Sequence, residues 1–222
     1  MRGSRVAILS LALGWTVGGC AESTTLTKEE DLTEFEAAQM ASFLIGRSFT
    51  ATGVDMSSNA QTVTYPSAST FYGGENFPTS YARVEIDEDH TLMGDCILGG
   101  SLKVSQSVEG FVDNETKEFD IHAVQKQVYE DCTGAGESGD FTFTLNSSPD
   151  VAVDLSIARD ASNAVTGSGT VFGAVDWEAG DRIGRCEIDF VFSMEGQPGR
   201  TVITSSGRIC GISFSQNISV TT

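Results

Sequence analysis

Basic residues, histidine and proline are all scarce in this 222-residue chain. Thirteen Lys+Arg stand against 31 Asp+Glu, a net charge of −18. A surface that acidic repels a phosphate backbone, which excludes nucleic acid as a partner. It also pushes the body of the protein away from an anionic membrane. The two histidines, His90 and His122, are far apart in the chain. No Gly-x-Ser-x-Gly elbow, phosphate-binding glycine loop, His-Glu-x-x-His or Cys-x-x-Cys occurs, so the chain reads as a non-enzyme with no cofactor. There are only four prolines against 24 glycines, with no long repeat or low-complexity block. Long apolar runs are missing too. The N-terminal one, Val6 to Val17, has twelve residues, where a membrane span needs roughly twenty.

That short run has a different use. Arg2 and Arg5 precede it and Gly18-Gly19 follows it, which is the three-part organisation of a secretory signal. Cys20 comes directly after the small pair. The segment Val17-Gly18-Gly19-Cys20 resembles the lipobox of bacterial lipoproteins, although Val17 stands where Leu is commonest. The resemblance covers residues 1–20 only. It implies cleavage before Cys20, lipidation of its thiol and often acylation of the new amine. Two or three acyl chains make a stable membrane anchor, whereas a single one is marginal. With Ala21 rather than Asp after Cys20, the resemblance implies sorting to the outer membrane if the source has two membranes. Residues 1–19 carry two arginines and no acid, so their loss leaves 203 residues and takes the net charge from −18 to −20. That length suits one all-β domain.

Residues 20–26 read as a polar lipidated tether. Thr27-Lys28-Glu29-Glu30 matches a capping box, and no Gly or Pro interrupts the chain from there to Ile45. Leu32, Phe35, Met40, Phe43 and Leu44 form a broad apolar side. The pattern predicts one amphipathic helix over 27–46, stopped by Gly46, whose apolar side packs on the sheet that follows. From Arg47 the period changes to two. Alternating residues around Leu98–Val104, Phe141–Leu145, Val151–Ile157, Cys186–Phe192 and Cys210–Val220 predict half-buried strands. Turn signals separate them at Asp113-Asn114, Gly134–Gly139, Ser147–Asp150, Asp160–Asn163, Gly180-Asp181 and Gly196–Gly199. The expectation over 47–222 is an antiparallel meander of about nine to eleven strands, closed as a barrel or folded as a sandwich.

Three stretches call for a reading beyond the fold. Gly167, Gly169 and Gly173 share a face with Val165, Val171, Val175 and Trp177. Glycines in a strand mark a bend or a close approach; here they leave room for the helix or for an apolar ligand. Residues 65–81 lack alternation and hold Phe71, Tyr72, Phe77 and Tyr81, either as a ligand- or partner-binding loop or as a loop folded over the sheet end. Asp87-Glu88-Asp89-His90 reads as an acidic turn in which Asp87 and Asp89 make a weak calcium candidate.

Cys20 being spent on lipid, Cys96, Cys132, Cys186 and Cys210 remain in a compartment that permits disulfides. Facing residues of a hairpin are equidistant from its turn. Cys96 and Cys132 are centred on Asn114, and Cys186 and Cys210 on Pro198. The pairs Cys96–Cys132 and Cys186–Cys210 follow, each stabilising the fold by roughly 3.5–4 kcal/mol in the chain-entropy picture. Alternation slips near Ala123-Val124, which suggests a bulge in the first hairpin. The whole reads as a lipid-anchored, all-β envelope module that works by binding or structural association. Its partner is an envelope protein or a small apolar ligand, and the alternative is a carrier barrel.

Overall fold

The computed structural model describes residues 31–53, 83–136, 139–147, 149–197 and 200–221. The proposed lipobox and tether, and the aromatic loop with Phe71, Tyr72, Phe77 and Tyr81, lie outside the described residues. One helix, α1 (Glu34–Ala51), precedes ten strands: β1 (Arg83–Asp95), β2 (Ser101–Asp113), β3 (Phe119–Glu130), β4 (Cys132–Ala135), β5 (Thr142–Ser147), β6 (Val151–Arg159), β7 (Val165–Ala179), β8 (Arg182–Gln197), β9 (Arg200–Ile209) and β10 (Ile212–Thr221).

All pairings are antiparallel, in the order β1-β2-β3-β6-β7-β8-β9-β10. The two remaining strands continue their neighbours. β4 runs on from β3, and β5 pairs with both β4 and β7. β5 and β6 thus share one side of β7, β6 along Val165–Phe172 and β5 along Val175–Glu178. Gly173 lies at the changeover with φ +147. A Cβ there would come within 3.0 Å of Asp150 O and Val151 Cα, so only glycine lets the backbone kink that close to its neighbour. The expected meander is present. Neither expected closure is: the ten strands form a single sheet that is not closed into a barrel, with β1 and β10 as its edges.

The sheet curls around α1 instead. Phe43 packs against Phe143 with ring centroids 5.4 Å apart, Phe49 against Phe192 at the same distance, and Ser42 meets Gln216 of β10. Met40, Ala41, Leu44, Ile45 and Phe49 are buried. The glycine face of β7 is explained here. A Cβ on Gly169 would lie 2.6 Å from the Phe192 ring; the bare backbone lets that ring lie flat across β7, and Phe49 then sits on it. The space is filled by protein.

The predicted helix bounds shift. The helix starts with a capping box at Thr33-Glu34-Phe35-Glu36, in which the Thr33 hydroxyl accepts from Glu36 N at 3.2 Å and Thr33 N donates to the Glu36 carboxylate at 2.8 Å. Thr27–Glu30 lies outside the described residues. Gly46 does not stop the helix, because it faces open space and tertiary packing of Ser48 and Phe49 carries the helix one more turn. Phe35, expected on the buried side, is 56% exposed, whereas Phe43 is buried.

Cys96–Cys132 and Cys186–Cys210 are the disulfides observed, with Cα separations of 5.4 and 4.2 Å. The geometry behind the first differs from the hairpin expectation. Cys96 lies in the β1–β2 turn and Cys132 opens β4. Extended from Ser101↔Glu130, the β2–β3 register would set Cys96 opposite Ala135, so the bond joins a turn to a bend. Cys210 occupies the β9–β10 turn at φ +53, one position out of register with Cys186. Two disulfides mark an oxidising, extracytoplasmic setting. No helix among the described residues is long and apolar enough to cross a membrane.

Phe43→Ala is expected to destabilise the protein by about 3 kcal/mol or more through the cavity left between Tyr129, Phe143 and α1, whereas Phe35→Ala should stay within about 0.5 kcal/mol. Urea unfolding followed by far-ultraviolet circular dichroism compares the two.

Candidate functional site

Five buried polar side chains, Gln106, Gln125, Gln127, Thr201 and Ser205, interrupt the apolar inner face, and the three glutamines reach for α1. The last four carbonyls of a helix have no partner within it. Here each finds one. Gln125 Nε2 donates to Ser48 O at 3.0 Å, Thr52 N and Oγ1 to Phe49 O at 3.0 and 2.7 Å, Gly53 N to Thr50 O at 3.0 Å, and Gln106 Nε2 to Ala51 O at 2.8 Å. The amides are also linked to one another. Tyr129 Oη donates to Gln127 Oε1, Gln127 Nε2 to Gln125 Oε1 at 2.8 Å and to Ser48 Oγ at 3.0 Å, and Gln125 Nε2 to Gln106 Oε1 at 3.1 Å. His90 Nε2 accepts from Gln106 Nε2 at 2.7 Å, since an amide nitrogen has no lone pair to offer. Burial raises the Tyr129 phenol above its ordinary pKa, so it stays a donor. The alternation of β3 therefore does not slip: Ala123, Gln125, Gln127 and Tyr129 all keep the inward phase, and no bulge is needed.

The other end of α1 is fixed by charge. Arg182, at the β7–β8 turn, holds Glu36 through both guanidinium Nη atoms, one of them at 3.2 Å, and this bond is the main reason the Glu36 carboxyl lies below its ordinary pKa.

Beside the end of α1, which meets Gln106, β1 is left partly exposed at Leu92 while Leu102 and Val104 of β2 are buried. There the inward pairs Leu92↔Val104 and Gly94↔Leu102 line a cleft of about 250 Å³, closed on the helix side by Arg47, Thr50 and Ala51. Arg47 Nη2 is buried with no hydrogen-bond partner, and its guanidinium lies 5.2 Å from the centre of the Phe43 ring. Burial lowers the Arg47 pKa, yet arginine keeps its charge at neutral pH. Met93, near the end of β1, is 68% exposed, and in the β1–β2 turn that follows Ile97 is 74% exposed and Leu98 is exposed as well. The turn is held by the Cys96–Cys132 bond and by Thr133 N donating to Gly99 O at 2.8 Å. These apolar side chains are presented on a pinned backbone.

Two other hollows are more polar. One of about 500 Å³ is lined by Asn146, Asp176, Trp177 and Glu178. The other, of about 470 Å³, lies on the outer face among Asp89, Thr91, Ser107 and Lys126. The acidic-turn reading of Asp87 and Asp89 is overturned. Both belong to β1, facing Glu109 and Ser107 across the ladder, and side chains two apart on a strand share a face but are rooted roughly 6.5–7 Å apart. No group of three or more His, Cys, Asp or Glu residues that could hold a metal occurs among the described residues. The acids instead charge an edge strand, which discourages pairing with a second sheet. Leu98, expected in a strand, lies in the turn. The sequence signals overlooked were Gly99-Gly100, which closes the β1–β2 turn just ahead of β2, and the inward phase of the glutamines.

His122 is on the outer face, as its alternation implied, with Nδ1 3.0 Å from Glu109 Oε1 and Nε2 2.9 Å from Asp154 Oδ1. Two carboxylates ask both ring nitrogens to carry protons. The hydrogen bond to Glu109 first, then that to Asp154, raises its pKa above 6.5.

The chain matches no protein-family model, no curated protein and no solved structure.

A histidine whose folded pKa is raised adds stability that is fully present below the unfolded value and is lost as pH rises through the folded one. His122→Ala is therefore expected to remove an increment of stability present below about pH 6.5 and absent at alkaline pH. An NMR titration of the His122 ring should have its midpoint above 6.5; a midpoint at or below it would contradict the double carboxylate contact.

Proposed function

We propose that this chain is a lipid-anchored extracytoplasmic module, held at the outer membrane through Cys20, that acts by binding rather than by catalysis. The observation that carries the reading is the β1–β2 end. Large exposed apolar side chains grouped together mark an interaction site, and here Leu92 and Met93 near the end of β1 and Ile97 and Leu98 in the disulfide-braced β1–β2 turn are exposed beside a cleft. Ordered loops on a rigid scaffold are where binding residues concentrate. The carrier reading takes a reduced form. An enclosed barrel cavity is not available, because α1 fills the trough, but the cleft at its end can seat one apolar group.

Two measurements test this. The intact mass of protein extracted from membranes should exceed that of the 20–222 polypeptide by a diacylglyceryl group, with or without an N-acyl chain; Cys20→Ser should abolish the modification, and an unmodified Cys20 would remove the anchor. The uncharged dye Nile red is expected to bind saturably and to lose affinity about tenfold in Leu92→Asp but not in Val191→Asp, an equally apolar exposed position on the outer face. Equal loss in both, or none in either, would overturn the β1–β2 end as the binding surface.

A further inference from the structure

We propose that the cleft beside Arg47 binds a single-chain amphiphile with an anionic head, the head on the Arg47 guanidinium and the tail along Leu92, Leu102 and Val104. This rests on the reading of the β1–β2 end as the binding surface and adds the chemistry of what binds there.

One charge of α1 has no counter-ion among the described residues. Arg47 is the one basic residue of α1. Its Nη2 is buried without an acceptor, and no ion pair links it to a described carboxylate; Asp95 lines the same cleft without pairing to it. The side chain as a whole is half-buried, but a charged donor shut away from water without an acceptor is unfavourable, and arginine cannot escape by losing its proton. The helix dipole does not supply the partner. The free carbonyls at the end of α1, which would attract a cation, already accept from Gln106, Gln125, Thr52 and Gly53. The Phe43 ring supplies a cation–π contact on one side only. What is missing is an anionic acceptor, and the guanidinium fork suits a carboxylate or a phosphate.

The remaining lining sets the rest of the ligand. Leu92, Met93, Leu102 and Val104 offer an apolar wall, unsuited to a free inorganic anion. About 250 Å³ falls below the usual range for a drug-sized ligand, which favours one chain over two. The charge balance adds a further constraint. At −18, the protein's long-range field opposes an approaching anion, so attraction has to come from the local pair and from apolar burial. Salt screens the long-range repulsion more than the buried pair, and affinity should therefore hold or rise with ionic strength.

The test uses the full-length chain with both disulfides formed and without lipid modification. Displacement of Nile red is followed with three probes that share a twelve-carbon tail: dodecanoate, dodecyl phosphate and dodecyltrimethylammonium, each below its micellar concentration. The anions should displace the dye at concentrations about tenfold lower than the cation, and raising the salt should not weaken them. Dodecanoate ahead of dodecyl phosphate identifies a fatty-acid-like head, and the reverse a phosphate head. Arg47→Gln should remove the anion preference while leaving Nile red binding intact, and Arg47→Lys should keep part of it. Equal displacement by anion and cation overturns the head-group assignment, and this comparison on the unmutated chain decides even if the Arg47 variants fail to fold. If dye binding is nonetheless lost in Leu92→Asp, the apolar surface stands without the anionic head; if Leu92→Asp changes nothing, both readings fall.

Discussion

The structure depends on how the sheet accepts the end of a helix. A helix laid in the trough of an apolar sheet buries four carbonyls that nothing within the helix can satisfy, each costing about 1–3 kcal/mol if left alone. Gln106 and Gln125 supply two of the missing donors from adjacent strands, and Gln127, Tyr129 and Ser48 saturate the glutamines in turn. A buried polar network favours a single arrangement when every member is satisfied and is costly when one is not. The sliding position of α1 along the trough is thereby set, and with it the position of Phe43 over β4 and β5 and of Phe49 over Phe192.

The same constraint creates the exposed end. The last carbonyl of α1 meets Gln106, and Leu92 and Gly94 of β1 stay exposed beside the helix, over the buried Leu102 and Val104 of β2. The Cys96–Cys132 bond ties the β1–β2 turn to the start of β4, so this uncovered region keeps its shape rather than collapsing onto the helix. Arg47, one turn before the helix end, is consequently held at the mouth of an apolar cleft by the packing of its neighbours. Its position answers to the helix register and not to any acceptor of its own.

Much of this architecture is legible in the chain. Period-two alternation with short connections determined an antiparallel meander, and the spacing of four cysteines led to both observed disulfide pairs. The hairpin register assumed for them does not hold for Cys96–Cys132, however, and is one position out for Cys186–Cys210. The face of His122 and the burial of Phe43 follow from phase alone, because side-chain direction in a strand or helix is set by local backbone geometry. Where the local rule was ambiguous, the reading went astray. Gly46 resembles a stop, yet packing of Ser48 and Phe49 outweighs the weak propensity of one glycine. Phe35 lies within a broad apolar side, but it falls in the first turn, ahead of the sheet's reach.

Other features belong to the tertiary structure because they depend on partners distant in sequence. Gln125 and Gln127 look like a break in alternation until α1, more than seventy residues earlier, is seen to need donors. The acids of β1 look like a turn until the turn is seen to lie farther on, between Asp95 and Ser101, which makes them the guard of a sheet edge. Closure could not be read at all, since whether the edges of a meander meet depends on the accumulated twist and on what fills the trough. The unanswered charge of Arg47 is of the same kind. Composition determined that this protein is acidic; only the folded arrangement decided that one of its few cations would be half-buried beside an apolar wall, without a counter-ion among the described residues.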